Sequence, residues 1–156
     1  MTGKLKREIR QKKPFSGIQE EAVLSLLRTA DLVSLPIAEV LRDARLSLSQ
    51  YNVLRILRGA GDEPLACGEV SERMVRRDPD LTRLLDRLEA RGLVTRSRGA
   101  TDRRVVLASI TPKGIELLAH LDDPMEEKLR ERLAHVPASK LRTLVDLLED
   151  VREERA

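Results

Sequence analysis

One stretch, Leu65 to Gly114, constrains what this chain can fold into more than any other. Near its centre Leu81, Leu84, Leu85 and Leu88 recur at i, i+3, i+4 and i+7, a single apolar stripe on a helix. Asp78 is a good N-cap, Pro79 suits a first helical position whose amide has no partner, and Gly92 is a natural stop. The face left over carries Asp80, Thr82, Arg83, Asp86 and Arg87. Directly after Gly92 the pattern turns strand-like: Leu93 to Arg98, a tip from Gly99 to Asp102, then Arg103 to Ile110. A short helix, a second helix with a polar outer face and a basic hairpin make a winged helix-turn-helix.

At 156 residues the chain supplies one domain with a modest core. A helix-rich protein of that size often completes its burial against a second copy. Phe15 and Tyr51 are the only aromatics, which argues against single-strand and RNA-binding modules that stack bases on aromatic platforms. Cys67 is the only cysteine, so intrachain disulfides and Cys-based zinc sites are excluded. His120 and His135 are too few and too far apart for a His-only metal site, and no metal or cofactor is expected. No apolar run approaches the roughly 20 residues of a membrane span, and the basic N-terminus lacks the apolar region of a secretory signal. The default is a cytoplasmic protein with no membrane partner.

The net charge of +3 says less than its distribution. Residues 1–13 hold six basic side chains against Glu8, and residues 66–113 hold eleven against seven acids. Residues 114–156 reverse the balance, with seven basic against eleven acidic. Positive charge concentrated on the N-terminal arm and the winged segment is the footprint of a polyanion binder, here double-stranded DNA.

Four segments follow. Residues 1–13 read as a basic flexible arm. Residues 14–45 carry a long helix starting near Ser16, with Ile18, Ala22, Leu26 and Ala30 on an apolar face, and Pro36 predicts a kink or break. Residues 46–111 form the winged helix-turn-helix. Within it Ser47-Leu48-Ser49-Gln50 fits a capping box, followed by core positions Val53, Leu54, Ile56 and Leu57. A further helix from about Cys67 to Arg76 starts on Ala66, a poor capper. Residues 112–156 carry the last helices: Thr111-Pro112 starts one, Asp122-Asp123-Pro124 predicts a bend or restart, and Pro137-Ala138-Ser139 starts another. The terminal stripes, such as Leu141, Leu144, Val145, Leu148 and Val151, have no obvious partner in so small a chain, which points to an isologous dimer. The expected fold is mainly α, with about six helices and a two-stranded wing, dimerising through its N- and C-terminal helices.

The segments Gly68 to Met74, Asp78 to Gly92, Asp102-Arg103-Arg104 and Ile110 to Gly114 together resemble the MarR family of bacterial transcription regulators. The helix start Ser47 to Tyr51 is similar as well, and the likeness spans most of residues 46–121. Ala66 and the basic Val75-Arg76-Arg77 depart from the usual pattern. The resemblance implies a homodimer gripping a palindromic operator, with one recognition helix in each of two major grooves and a wing beside each. It also implies a cleft for a small-molecule effector between the dimer helices and the winged domain, placing Leu32, Leu35, Tyr51 and Leu118 nearby.

Among individual residues, Arg83 is the first candidate for reading a base edge, since its planar fork matches guanine's acceptors. The alternative for Arg83 is a phosphate contact or a solvated helix arginine. Thr82 suits a thymine methyl or a phosphate. Asp80 could accept from a cytosine amine or complement the helix dipole, the latter being the better reading. Arg76 and Arg77, close to the same helix start, and Arg87 on its outer face join the DNA-facing set. In the wing, Arg104 resembles the family's minor-groove arginine with Asp102 holding it in place, while Arg96, Arg98 and Arg103 suit phosphates. Asp86 would repel DNA and is expected to pair with an arginine, fixing the wing against the helix. Cys67 reads as a small core residue rather than an oxidant sensor.

The leading function is a transcriptional regulator, a repressor relieved by a small ligand. The competing class is a winged-helix module for protein contacts, against which the arginine cluster argues. An enzyme is rejected, because no nucleophile motif, phosphate-binding glycine loop or metal constellation is present.

Overall fold

The computed structural model describes residues 4–153. Seven helices and three strands follow in the order α1 (Lys4–Glu8), α2 (Ile18–Asp43), α3 (Leu48–Gly59), β1 (Leu65–Ala66), α4 (Cys67–Arg73), α5 (Leu81–Ala90), β2 (Val94–Arg98), β3 (Val106–Ile110), α6 (Pro112–Leu133) and α7 (Ala138–Arg152). The mainly helical winged architecture is as expected, with differences that have local causes.

The basic arm is in part helical, because Leu5 gives α1 one buried side chain. Residues 1–3 of that arm lie outside the described residues. Neither internal proline breaks its helix: α2 continues through Pro36 and α6 through Pro124. Each proline removes one backbone hydrogen bond, but α2 and α6 pack along one another and hold the turns on both sides. Of the expected apolar face of α2, Ile18, Ala22 and Ala30 are exposed among the described residues and Leu26 is half-buried. Only Leu41 is fully buried there, whereas Ile18, Val23, Leu27 and Leu35 are exposed.

The start of α3 is the expected capping box. The Gln50 amide donates to Ser47 Oγ at 3.1 Å, and the Ser47 amide donates to Gln50 Oε1 at 2.9 Å. Behind it Val53, Leu54 and Leu57 enter a core shared with Leu41, Val70, Leu85, Leu88, Leu93 and Leu118. Helix α4 ends at Arg73, three residues short of the expected Arg76, and Ala66 offers it no side-chain cap. Arg76 and Arg77 therefore sit in the turn between α4 and α5.

The two-stranded wing, β2 and β3, is extended by β1 into a three-stranded antiparallel sheet in the order β1-β3-β2. Leu65 pairs with Ala108 and Ala66 with Leu107, while Val94 to Arg98 pair with Ile110 to Val106 on the other side. Two residues are too few to show the period that identifies a strand from sequence. At the far end of the hairpin Thr111 caps α6, its hydroxyl accepting from the Gly114 amide at 3.1 Å and donating to Gly92 O at 2.7 Å.

An ion pair remote in sequence ties α3 to α6. Arg58 donates twice to Asp122, Nη1 to Oδ2 at 2.8 Å and Nη2 to Oδ1 at 2.9 Å. The Arg58 hydrogen bonds hold the Asp122 carboxyl below the usual carboxylate range. Helix α7 has no fully buried residue and presents Leu144, Val145, Leu147 and Val151 to solvent.

Candidate nucleic-acid interface

The recognition helix starts two residues later than its sequence suggests. Asp78 Oδ1 accepts from the Asp80 amide at 3.0 Å, closing a local turn that holds Pro79 ahead of the helix. Asp80 is the N-cap, accepting from the Arg83 amide at 3.4 Å, and its Oδ2 lies 3.3 Å from Arg83 Nε. Asp80 thus serves the helix start, in line with the dipole reading. Its ion pair with Arg83 is worth little, because both side chains are well exposed.

The apolar stripe faces inward as expected. Leu84, Leu85 and Leu88 are buried and Leu81 is half-buried, while Thr82, Arg83, Asp86 and Arg87 are exposed. The start of α5 lies beside the capping box of α3, and Ser47, Gln50, Asp78, Asp80, Arg83 and Arg87 border one shallow depression. Gly92, at φ +69°, ends the segment in a conformation that a side chain would strain.

Wing and recognition helix are clamped together by Arg96. Its Nη2 lies 2.5 Å from Asp86 Oδ1 and 2.7 Å from Glu89 Oε2, its Nε donates to Glu89 Oε2 at 3.0 Å, and its amide donates to Glu89 Oε1 at 3.0 Å. The expected pairing of Asp86 with a wing arginine is present. The assignment of Arg96 to a phosphate is corrected, because its fork is taken up by two carboxylates and its side chain is only 23% exposed. Glu89 was missed by sequence reasoning. The available signal was its place three residues after Asp86, on the same side of the helix.

The hydrogen bonds from Arg96 hold the Glu89 carboxyl below its ordinary range. The folded state therefore binds fewer protons here than the unfolded chain, as it does at Asp122. This stability is complete above the unfolded carboxylate pKa of about 4 and is lost as pH falls through the depressed folded values. Replacing Glu89 by Gln should flatten the fall of Tm between about pH 4.5 and pH 3, read by circular dichroism melts. An unchanged acid slope would remove Glu89 from this account.

At the wing tip Asp102 holds Arg104 through its backbone and closes the turn. Its Oδ1 accepts from the Arg104 amide at 2.9 Å, and its carbonyl accepts from the Val105 amide at 3.1 Å. Arg98 Nη1 donates to the Arg103 carbonyl at 3.3 Å. Arg103 and Arg104 are exposed, as are Arg76 and Arg77 in the turn before α5.

Beneath that turn lies a cavity of about 210 Å³ between α2, α3 and α6. Ile37, Leu48, Tyr51, Met125 and Leu129 supply its apolar walls, with Arg55 and Arg76 as its charged residues. Of the four expected cleft residues only Tyr51 lines it. Leu118 is wholly in the core, Leu35 points to solvent, and Leu32, although half-buried, does not border the cavity. The Arg55 guanidinium lies 5.8 Å from the centre of the Tyr51 ring.

Cys67 is half-buried against the core. Burial pushes its thiol pKa up, and the nearby Arg96 only opposes this. That setting disfavours the thiolate a sensor would need. Among the described residues, no group of three or more His, Cys, Asp or Glu side chains is placed to hold a metal ion, and no helix is long and apolar enough to cross a membrane.

A helix-turn-helix with an arginine-bearing outer face, clamped to a basic hairpin, defines a winged-helix protein of the DNA-binding class. The sequence pattern of the MarR family matches residues 46–106. A MarR transcription factor from Planctomyces limnophilus is 38% identical in a structure that superposes with a TM-score of 0.67, over 87% of this chain and 98% of that one. The chain belongs to the MarR family of transcription regulators. It is also 26% identical to the homoprotocatechuate degradative operon repressor of Escherichia coli, over 85% of this chain and 88% of the repressor. The fold is shared with Bordetella bronchiseptica BpsR, whose DNA binding is regulated by 6-hydroxynicotinic acid, at TM-score 0.79 and 22% identity over 92% of this chain and 100% of that one.

Proposed function

We propose that this protein is a cytoplasmic homodimeric repressor that grips a palindromic operator and is released by a small organic anion. The observation that carries the reading is the exposed row of Thr82, Arg83 and Arg87 on α5, set between the basic α4–α5 turn and the Arg98–Arg103–Arg104 end of the wing. In this reading α5 enters the major groove, Arg83 reads a base edge, and Arg104 reaches the neighbouring minor groove. Arg76, Arg77, Arg98 and Arg103 take phosphates, which position without specifying. The exposed apolar residues of α2 and α7 support dimerisation, since two such helices would bury them against their symmetry mates.

The cavity under the turn supports the effector half of the reading. It is smaller than most ligand sites and suits a compact molecule with an apolar body. Its charged residues are both arginines, which favours an anion. Regulation of BpsR by 6-hydroxynicotinic acid is a precedent of that chemistry within the fold.

The test is duplex binding across salt, with sedimentation to fix the oligomeric state. Neutralising 6–10 phosphates should weaken binding roughly 10³- to 10⁵-fold between about 50 and 200 mM salt. A salt-independent affinity, or a strictly monomeric protein bound to its operator, would count against the proposal.

A further inference from the structure

Seven residues, Met74 to Asp80, connect α4 to α5, and they carry Arg76 and Arg77. The turn has little to hold it in place. Met74 is buried at its start, Val75 is 93% exposed, and Arg76 and Arg77 are exposed. Among the described residues, one hydrogen bond joins residues 75–77 to another element: the Val75 amide donates to Asn52 Oδ1 on α3 at 2.8 Å. Asn52 is half-buried and also lines the cavity, as do Tyr51 and Met125. A side chain that borders the cavity and bonds the backbone next to Arg76 is placed to transmit between them.

We propose that Asn52 is a positioning residue for DNA binding: it latches the α4–α5 turn so that Arg76 and Arg77 stand where phosphates arrive, and it couples the cavity to that turn. The inference rests on the DNA-binding reading above. With the latch closed, the two arginines approach DNA from a fixed backbone, so less conformational freedom is lost on binding. A cavity occupant that donates its own hydrogen bond to Asn52 Oδ1 competes with the Val75 amide and frees the turn. Asn52 itself makes no contact with DNA in this scheme.

Three variants of the full-length protein test it: Asn52→Ala, Asn52→Asp, which keeps an acceptor oxygen, and Arg76→Ala. Amide hydrogen exchange by NMR reads the latch directly, and duplex titrations at several salt concentrations read its effect. Asn52→Ala should exchange the Val75 amide about tenfold faster and weaken duplex binding about three- to tenfold, the range one hydrogen bond allows. The salt slope should stay near that of the unaltered protein. Arg76→Ala should instead make the slope shallower by about one phosphate contact per protomer. Asn52→Asp should restore Val75 protection.

The proposal is overturned if Asn52→Ala leaves Val75 exchange unchanged. It is equally overturned if the variant merely melts earlier while its folded fraction binds duplex with unaltered affinity. Should the unaltered protein bind no duplex at low salt, the DNA-binding reading fails. The positioning role then falls with it, while the exchange measurement still decides whether the latch exists.

Discussion

Gly114→Ala should lower Tm by roughly 5–10 °C, the largest stability loss expected from adding a single methyl group to this chain. A Cβ at Gly114 would stand 2.5 Å from the Leu93 carbonyl oxygen and 2.7 Å from Ile110 Cγ1. The first obstacle is backbone and cannot rotate away. It is also held, since Leu93 O accepts from the Thr111 amide at 3.1 Å. Relief requires the first turn of α6 to lift off the base of the wing. That movement would strain the Thr111 cap and the Lys113 Nζ bond to Arg91 O at 2.8 Å. Overpacking of this kind costs about 1–3 kcal/mol. Gly68→Ala is the matched control: nothing lies within 4 Å of its added Cβ, and alanine suits a helix better. Thermal melts that rank the two substitutions equally would show that the approach at Gly114 is not a constraint.

Arg83→Ala should reduce discrimination between operator and random duplex by about 1–3 kcal/mol, up to roughly a hundredfold, while leaving Tm within a degree or two. The Arg83 side chain is 77% exposed, and the one ion pair it makes among the described residues, with Asp80, is a weak surface contact, so little folding energy is at stake. Arg98→Ala should behave differently. Its loss should weaken binding to all duplexes alike, because a phosphate contact carries no base information. Fragments selected from the source genome, followed by competition titrations at fixed salt, separate the two outcomes. Equal loss on operator and random DNA for Arg83→Ala would move this residue to the backbone-contacting set.

Much of the interface was legible because its signals are local. The stripe Leu81-Leu84-Leu85-Leu88 follows from the 3.6-residue period, and Leu84, Leu85 and Leu88 are buried in the core. The Ser47–Gln50 box needs only a three-residue spacing, and the turn at Gly92 needs only a positive φ. Pairing of Asp86 with a wing arginine could be argued from charge alone, because a carboxylate on that face has no other stable role.

Other features had no local signature. Both Asp78 and Asp80 are capping residue types, and the sequence could not choose between them. The choice falls to Asp80 once Asp78 closes its own turn on the Asp80 amide. The Arg58–Asp122 pair joins residues 64 apart, and Arg91 reaches the carbonyls of Ala44 and Arg45 at the end of α2. Such partners are set by how helices pack, which no period encodes. Strand β1 exists because β3 had a free edge beside Leu65.

From sequence alone came the winged helix-turn-helix, its inward and outward faces and its arginines, all of which depend on residue types within a few positions of each other. Tertiary structure decided which arginines are drawn into the fold and which stay on its surface. Arg96 is drawn into the carboxylates of α5 and Arg91 into the end of α2, while Arg76, Arg83, Arg103 and Arg104 remain exposed. The physical reason is that a guanidinium goes to the acceptors that folding brings within about 3 Å, and chain order does not determine which these are.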